Sequence, residues 1–247
     1  MTTKKRSAST KSASSQSAST KPAGAKRPRR PRAALRGAPL VAHAREIEQR
    51  LQLLYPNAHC ELDYRSPFEL LVATILSAQC TDKRVNMVTP ELFRRWPDAQ
   101  ALATADAAAV EDVIRSTGFF RSKAKSLLGM ARDVAGRHGG EVPAAMDDLI
   151  ALPGVGRKTA NVLLGNAMGR NDGIVIDTHV ARLAARLGLT TEKDAERIEQ
   201  ALMPLFARDG WTMLSHLLIW HGRRVCDARK PRCPDCSLAD ICPSAIA

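Results

Sequence analysis

The chain has 247 residues, with 37 Lys and Arg against 25 Asp and Glu, and six cysteines. No apolar run approaches the roughly 20 residues that a membrane-spanning helix needs, and no apolar N-terminal stretch reads as a signal peptide, so a soluble intracellular protein is expected. The formal net charge of +12 points to nucleic acid, yet residues 1–38 carry 11 of the basic residues and no acidic one, which leaves 26 against 25 in the rest. Basic surface on the folded part must come from placement, not from bulk composition.

The leader MTTKKRSASTKSASSQSASTKPAGAKRPRRPR has almost nothing apolar to bury. Residues 1–38 are therefore expected to be a disordered basic tail that adds non-specific affinity for DNA. The same composition fits a transit peptide, and KRPRRPR fits a nuclear signal. The expected location is cytoplasmic and nucleoid-associated if the chain is bacterial, with organellar or nuclear targeting by the tail left open.

From residue 39 onward the apolar period is helical. A first helix fits 40–54. A second opens at Ser66-Pro67-Phe68-Glu69, where Ser caps, Pro takes the first helical position and Glu reaches back as a capping box. Its body, LLVATILSAQ, is apolar enough to be central to a core. Further helices fit 82–96, 107–116, 122–138, 145–151, 158–168, 178–187, 192–206 and 211–224. The β-branched run GIVI, residues 173–176, is too short to change the class. The expected fold is all-α, without an internal repeat.

The stretch LPGVGRKTANVLLG joins two of these helices. Pro153 stops the first, and Gly154 and Gly156 are expected to supply the unusual backbone angles of the turn. Backbone N–H groups at the start of the second helix then face outward, which suits a phosphate oxygen, with Arg157 adding charge. A plain helix–turn–helix connection is the simpler alternative.

LPGVGRKTAN resembles the helix-hairpin-helix of the endonuclease III family of DNA repair glycosylases. The resemblance extends to SPFELLVATILSAQCTDKRVN, to IDTHVARLAARLGL and to four C-terminal cysteines, so that it spans about residues 40–242. It implies two helical lobes with an active-site cleft between them. One lobe, about residues 60–170, is a six-helix barrel-like domain that holds the hairpin; the other combines 39–59 with 171–247 around an iron–sulfur site.

Lys158 lies in the first turn of the hairpin's second helix. By itself it reads as another phosphate contact or as a nucleophile, since the positive end of the helix dipole favours loss of the amine's proton. Asp177, nineteen positions on, reads as a helix cap or as a partner across a cleft; a carboxylate beside the amine would oppose the dipole. The resemblance implies that Lys158 attacks C1′ of a damaged nucleotide and forms a Schiff base. Asp177 then stabilises positive charge and assists deprotonation, and β-elimination cuts the strand 3′ to the lesion. The expected substrate is double-stranded DNA with oxidised pyrimidines or abasic sites, bound by a monomer. A related glycosylase for adenine mismatches or 8-oxoguanine, and a non-catalytic binder of DNA structure, are the rival readings. The binder needs neither Lys158 nor Asp177.

A base inside a duplex must be flipped out before attack, and something has to fill the hole. Gln79 resembles the family's gap-filling glutamine. Phe119, in TGFFRSKAK, falls where a wedge is expected, although many relatives carry Leu there and the adjoining pair Phe119-Phe120 also reads as core aromatics. Cys226, Cys233, Cys236 and Cys242 stand as C-x6-C-x2-C-x5-C, which reads as a metal site, zinc or iron–sulfur, in place of disulfides. The spacing is similar to the family's [4Fe–4S] loop. Between the first two cysteines, Arg229 and Lys230 are expected to grip phosphates, or else form a solvated basic loop. Cys60 and Cys80 are given no role.

Overall fold

The structure, a computed structural model, describes residues 35–246. The tail lies outside them up to residue 34. Among the described residues eleven α-helices follow one another: α1 (Ala38–Leu54), α2 (Pro67–Leu76), α3 (Asp82–Arg95), α4 (Ala99–Ala103), α5 (Ala107–Ile114), α6 (Phe120–Arg137), α7 (Met146–Ile150), α8 (Arg157–Met168), α9 (Thr178–Arg186), α10 (Ala195–Leu202) and α11 (Trp211–Arg224). There is no strand among the described residues. Residues 173–176 run extended and bury Ile174, Val175 and Ile176, with the Val175 N–H donating to Ser215 Oγ on α11 at 3.0 Å.

Three elements differ from expectation for local reasons. α4 is an additional helix: Asp98 caps it by accepting from the Ala101 N–H at 2.8 Å, and its buried Ala99 and Leu102 pack it along α6. α10 is shorter than 192–206. Asp194 caps it and sets its start at Ala195, and Pro204, which has no N–H, turns the end into a 3-10 turn at Met203–Leu205. The capping box at α2 is only half formed. Ser66 Oγ accepts from the Glu69 N–H at 3.2 Å, but Glu69 reaches past Ser66 to the Arg65 N–H at 2.7 Å, drawn there by its bond to the Arg65 guanidinium.

Buried apolar side chains gather in two clusters. The first is built on α2, on the inner faces of α3 and α6, and on Ala160, Leu163 and Leu164 of α8. The second joins Ala44, Ile47 and Leu51 of α1 to the inner faces of α9, α10 and α11. The chain crosses between them at residues 58–62 and again after α8, since Ala58 packs in the second cluster and Leu62 in the first.

Candidate active site and DNA interface

α8 starts without a side-chain cap. Gly156 is its N-cap residue, and the N–H groups of Arg157, Lys158 and Thr159 have no partner among the described residues. An uncapped N-terminus with a glycine in front is a ready anion site, because the orphan N–H groups and the dipole both favour negative charge. The turn before it is shaped by Gly154, with φ +80°, where a Cβ would lie 2.7 Å from Ser126 Cβ. Gly156 does not share that role. Its φ is −101°, open to any residue, and nothing lies within 4 Å of where its Cβ would be. A side chain at this position would project into the open space outside the turn.

Arg157 spends two of its guanidinium nitrogens on the protein itself. Its guanidinium straddles Glu199 on α10, with Nε to Oε2 at 2.6 Å and Nη2 to Oε1 at 3.2 Å, and Glu199 is buried. Asn161 adds a bond to Oε1 at 2.9 Å. A buried carboxylate needs such partners, and it outcompetes solvent for Arg157. Glu199 carries no signal in the sequence, where it is one acid on an amphipathic helix.

Lys158, the second residue of α8, is exposed and makes no ion pair or hydrogen bond among the described residues. Asp177 caps α9: Oδ1 accepts from the N–H groups of His179 and Val180, each at 2.8 Å, and Oδ2 accepts none among the described residues. Capping thus uses one oxygen and leaves the other open. Asp177 and Lys158 form no ion pair among the described residues.

The two residues come from helices of different apolar clusters and meet in the wall of one cleft. They line an open groove of about 700 Å³, together with Gln79, and a deeper, narrower cavity of about 80 Å³. Asp82 and Arg223 line both spaces as well, and Arg223 bonds to Asp82 at 2.7 Å and also to Glu61. That pair is a feature of the cleft wall that the sequence did not announce, since its members lie 141 positions apart.

Inside the cavity, His216 Nε2 faces Asn166 Oδ1 at 2.7 Å. Asn166 Nδ2 donates to the Val162 carbonyl at 2.8 Å, which fixes the amide and makes His216 Nε2 the donor. Nδ1 is then a bare acceptor. Burial, helped by His59, holds His216 down at about 4, so the ring is neutral at ordinary pH.

Gln79 and Phe119 are the two non-glycine residues with positive φ among the described residues, +53° and +48°. Such backbone costs about 1–3 kcal/mol and clusters at functional sites. Phe119 is 67% exposed. Phe120 packs on the first cluster beneath Arg115 and Arg121, so the core-aromatic reading fits Phe120 and not Phe119.

Cys226, Cys233, Cys236 and Cys242 are free thiols, and all four line one cavity of about 160 Å³. Burial pushes the thiols of Cys236 and Cys242 up. Among the described residues no three His, Cys, Asp or Glu are grouped to hold a metal ion. Four thiols around one space are a soft donor set that suits a metal centre, zinc or iron–sulfur. The loop itself is tied down. Arg186 of α9 donates to the carbonyls of Asp227 at 2.7 Å and Ala228 at 2.8 Å, while Asp227 Oδ1 accepts from the N–H groups of Arg229 and Lys230. The Arg229 and Lys230 side chains are exposed, with no acidic partner among the described residues.

Residues 72–208 match the HhH-GPD superfamily of base excision DNA repair proteins. An endonuclease III from Synechocystis is 56% identical over 204 residues, covering 83% of this chain and 93% of that protein. Two solved structures, a non-covalent endonuclease III–DNA complex and a trapped endonuclease III–DNA covalent intermediate, superpose with a TM-score of 0.80 at 38% identity. Each covers 83% of this chain and 96% of its own. No helix of the described residues is long and apolar enough to cross a membrane.

Proposed function

The chain belongs to the endonuclease III family within the HhH-GPD superfamily, a family of DNA glycosylases and abasic-site lyases of base excision repair, and from that premise we propose that Lys158 is its nucleophile and oxidised pyrimidines in duplex DNA its substrates. The single observation that carries this reading is an unpaired lysine amine in the same cleft wall as a carboxylate with one oxygen still unused.

In the proposed sequence the neutral Lys158 Nζ attacks C1′ of the flipped nucleotide. A nitrogen–carbon bond forms, and the glycosidic bond breaks with its electron pair leaving on the base, which takes up a proton. The amine's proton passes to the ring oxygen O4′ as the C1′–O4′ bond breaks, so the sugar ring opens and the C1′ imine results. The imine acidifies the 2′ hydrogen, and its loss as a proton drives the C3′–O bond to break, leaving the strand cut 3′ to the lesion. Asp177 Oδ2 balances positive charge on the sugar and carries the proton.

The hairpin holds a phosphate through the bare N–H groups of α8, with Gly154 shaping the turn and Gly156 leaving the space in front of it open. Arg229 and Lys230 hold phosphates through side chains. Gln79 and Phe119 enter the stack, and His216 Nδ1 offers an acceptor to an N–H of the flipped base. The lobes, 60–170 on one side and 39–59 with 171–247 on the other, close around the lesion. We also propose that the four cysteines hold a [4Fe–4S] cluster. Such a group cross-links the loop that presents Arg229 and Lys230.

The test is a set of duplexes carrying one oxidised thymine, one adenine mismatch or one 8-oxoguanine. Base release and β-elimination on the first and neither on the others is the expected result. Release of adenine or of 8-oxoguanine in preference would overturn the substrate assignment.

A further inference from the structure

Lys123 lines neither the cleft nor the cysteine cavity. It sits in the first turn of α6 and is only 5% exposed, which is rare for a lysine. Its Nζ donates to two backbone carbonyls, Leu76 at 2.8 Å and Thr117 at 2.8 Å. The first is the last residue of α2, whose final carbonyls have no helical partner; the second closes the 3-10 turn Arg115–Thr117. Burial pushes the ammonium down from the ordinary lysine range.

The residues just beyond each carbonyl give the arrangement its meaning. Three residues past Leu76 is Gln79, and two residues past Thr117 is Phe119, the two left-handed residues that face the cleft and solvent. The Lys123 N–H also bonds to the Phe119 carbonyl at 3.0 Å. One buried side chain therefore ties the root of both loops to a single point, 47 positions from the first and 6 from the second.

We infer that Lys123 is a positioning residue that holds the Gln79 and Phe119 loops at a fixed spacing, so that both enter the duplex as one rigid unit. The inference rests on the reading of Gln79 and Phe119 as the residues that enter DNA. Two loops moving separately would each have to be ordered on binding, at a cost in backbone entropy. A shared anchor removes that cost beforehand. An apolar substitute of similar length leaves two buried carbonyls unpaired, and each loop regains its freedom.

The experiment uses the full chain and a duplex with one oxidised thymine next to 2-aminopurine, whose fluorescence rises when its stack is broken. Lys123→Met is expected to lose more than half of that rise and to raise KM about tenfold, with kcat within about threefold of wild type. An unchanged rise and KM, with Gln79→Ala and Phe119→Ala each impaired, would overturn the inference and leave the reading of those residues intact. Unimpaired Gln79→Ala and Phe119→Ala would remove that reading, and the inference with it. Where Lys123→Met does not fold, the wild-type background decides. Gln79→Ala and Phe119→Ala combined should raise KM no more than the worse single change, and additive effects would contradict a single unit.

Discussion

The hairpin and the cysteine loop are the two regions proposed to hold the DNA backbone, and they treat main chain and side chain in opposite ways. At the start of α8 the main-chain N–H groups are bare, while the adjacent cation, Arg157, is bound to buried Glu199. In the cysteine loop Asp227 and Arg186 fill the main-chain groups, and the Arg229 and Lys230 side chains have no acidic partner among the described residues. A backbone contact depends on shape and approach, whereas a side-chain contact is a mobile charge that displaces counterions. Two ways of holding one phosphate backbone should fail in different ways.

The largest effect lies between the two regions, at Asp177. Asp177→Asn should lower kcat by about 10²–10⁴ and move the unfolding free energy by less than about 1 kcal/mol, because Asn also caps helices. Turnover and denaturant titration on the same sample check this; a large loss of stability would mean that the cap, not the chemistry, had been removed.

Next comes Arg157→Ala, which strands Glu199 in the interior and should cost about 3 kcal/mol in stability. Its salt slope for DNA binding should match wild type. A slope smaller by one charge would put Arg157 on phosphate and erase the contrast between the two regions. Smaller still are Arg229→Ala and Lys230→Ala. Each should leave the melting temperature in place and reduce the slope of log K against log salt by about one. A change in melting temperature without a change in slope would make them structural.

The cavity supplies a pH test. Unfolded, a histidine takes its proton near 6.5; His216 in the fold resists until about 4. The unfolded chain therefore binds more protons between these values, and stability is lost as pH falls from about 6.5 toward 4. His216→Gln should flatten that part of a melting-temperature profile, and an unchanged profile would mean that His216 is not buried neutral.

Much of this is legible in the sequence because it is local. Apolar period and caps place most helices, and the glycines, Lys158, Asp177 and the four cysteines lie in short, marked motifs. The features that escape are those that need distance. Glu199 claims Arg157 across 42 positions, Arg223 meets Asp82 across 141, and Lys123 reaches Leu76 across 47. Gly156 departs from the expected conformation because glycine marks both positive φ and empty space, and sequence cannot separate them. The Phe119-Phe120 pair is ambiguous in sequence because only the left-handed turn at Phe119 decides which ring faces out.

The most direct test of Lys158 as the nucleophile is borohydride trapping on a duplex with one oxidised thymine, with wild type beside Lys158→Gln. Reduction of an imine joins protein to DNA, so wild type should give a covalent adduct and strand cleavage, and Lys158→Gln should give neither while still binding the duplex. An adduct that persists in Lys158→Gln would place the Schiff base on another amine and contradict the assignment at its centre.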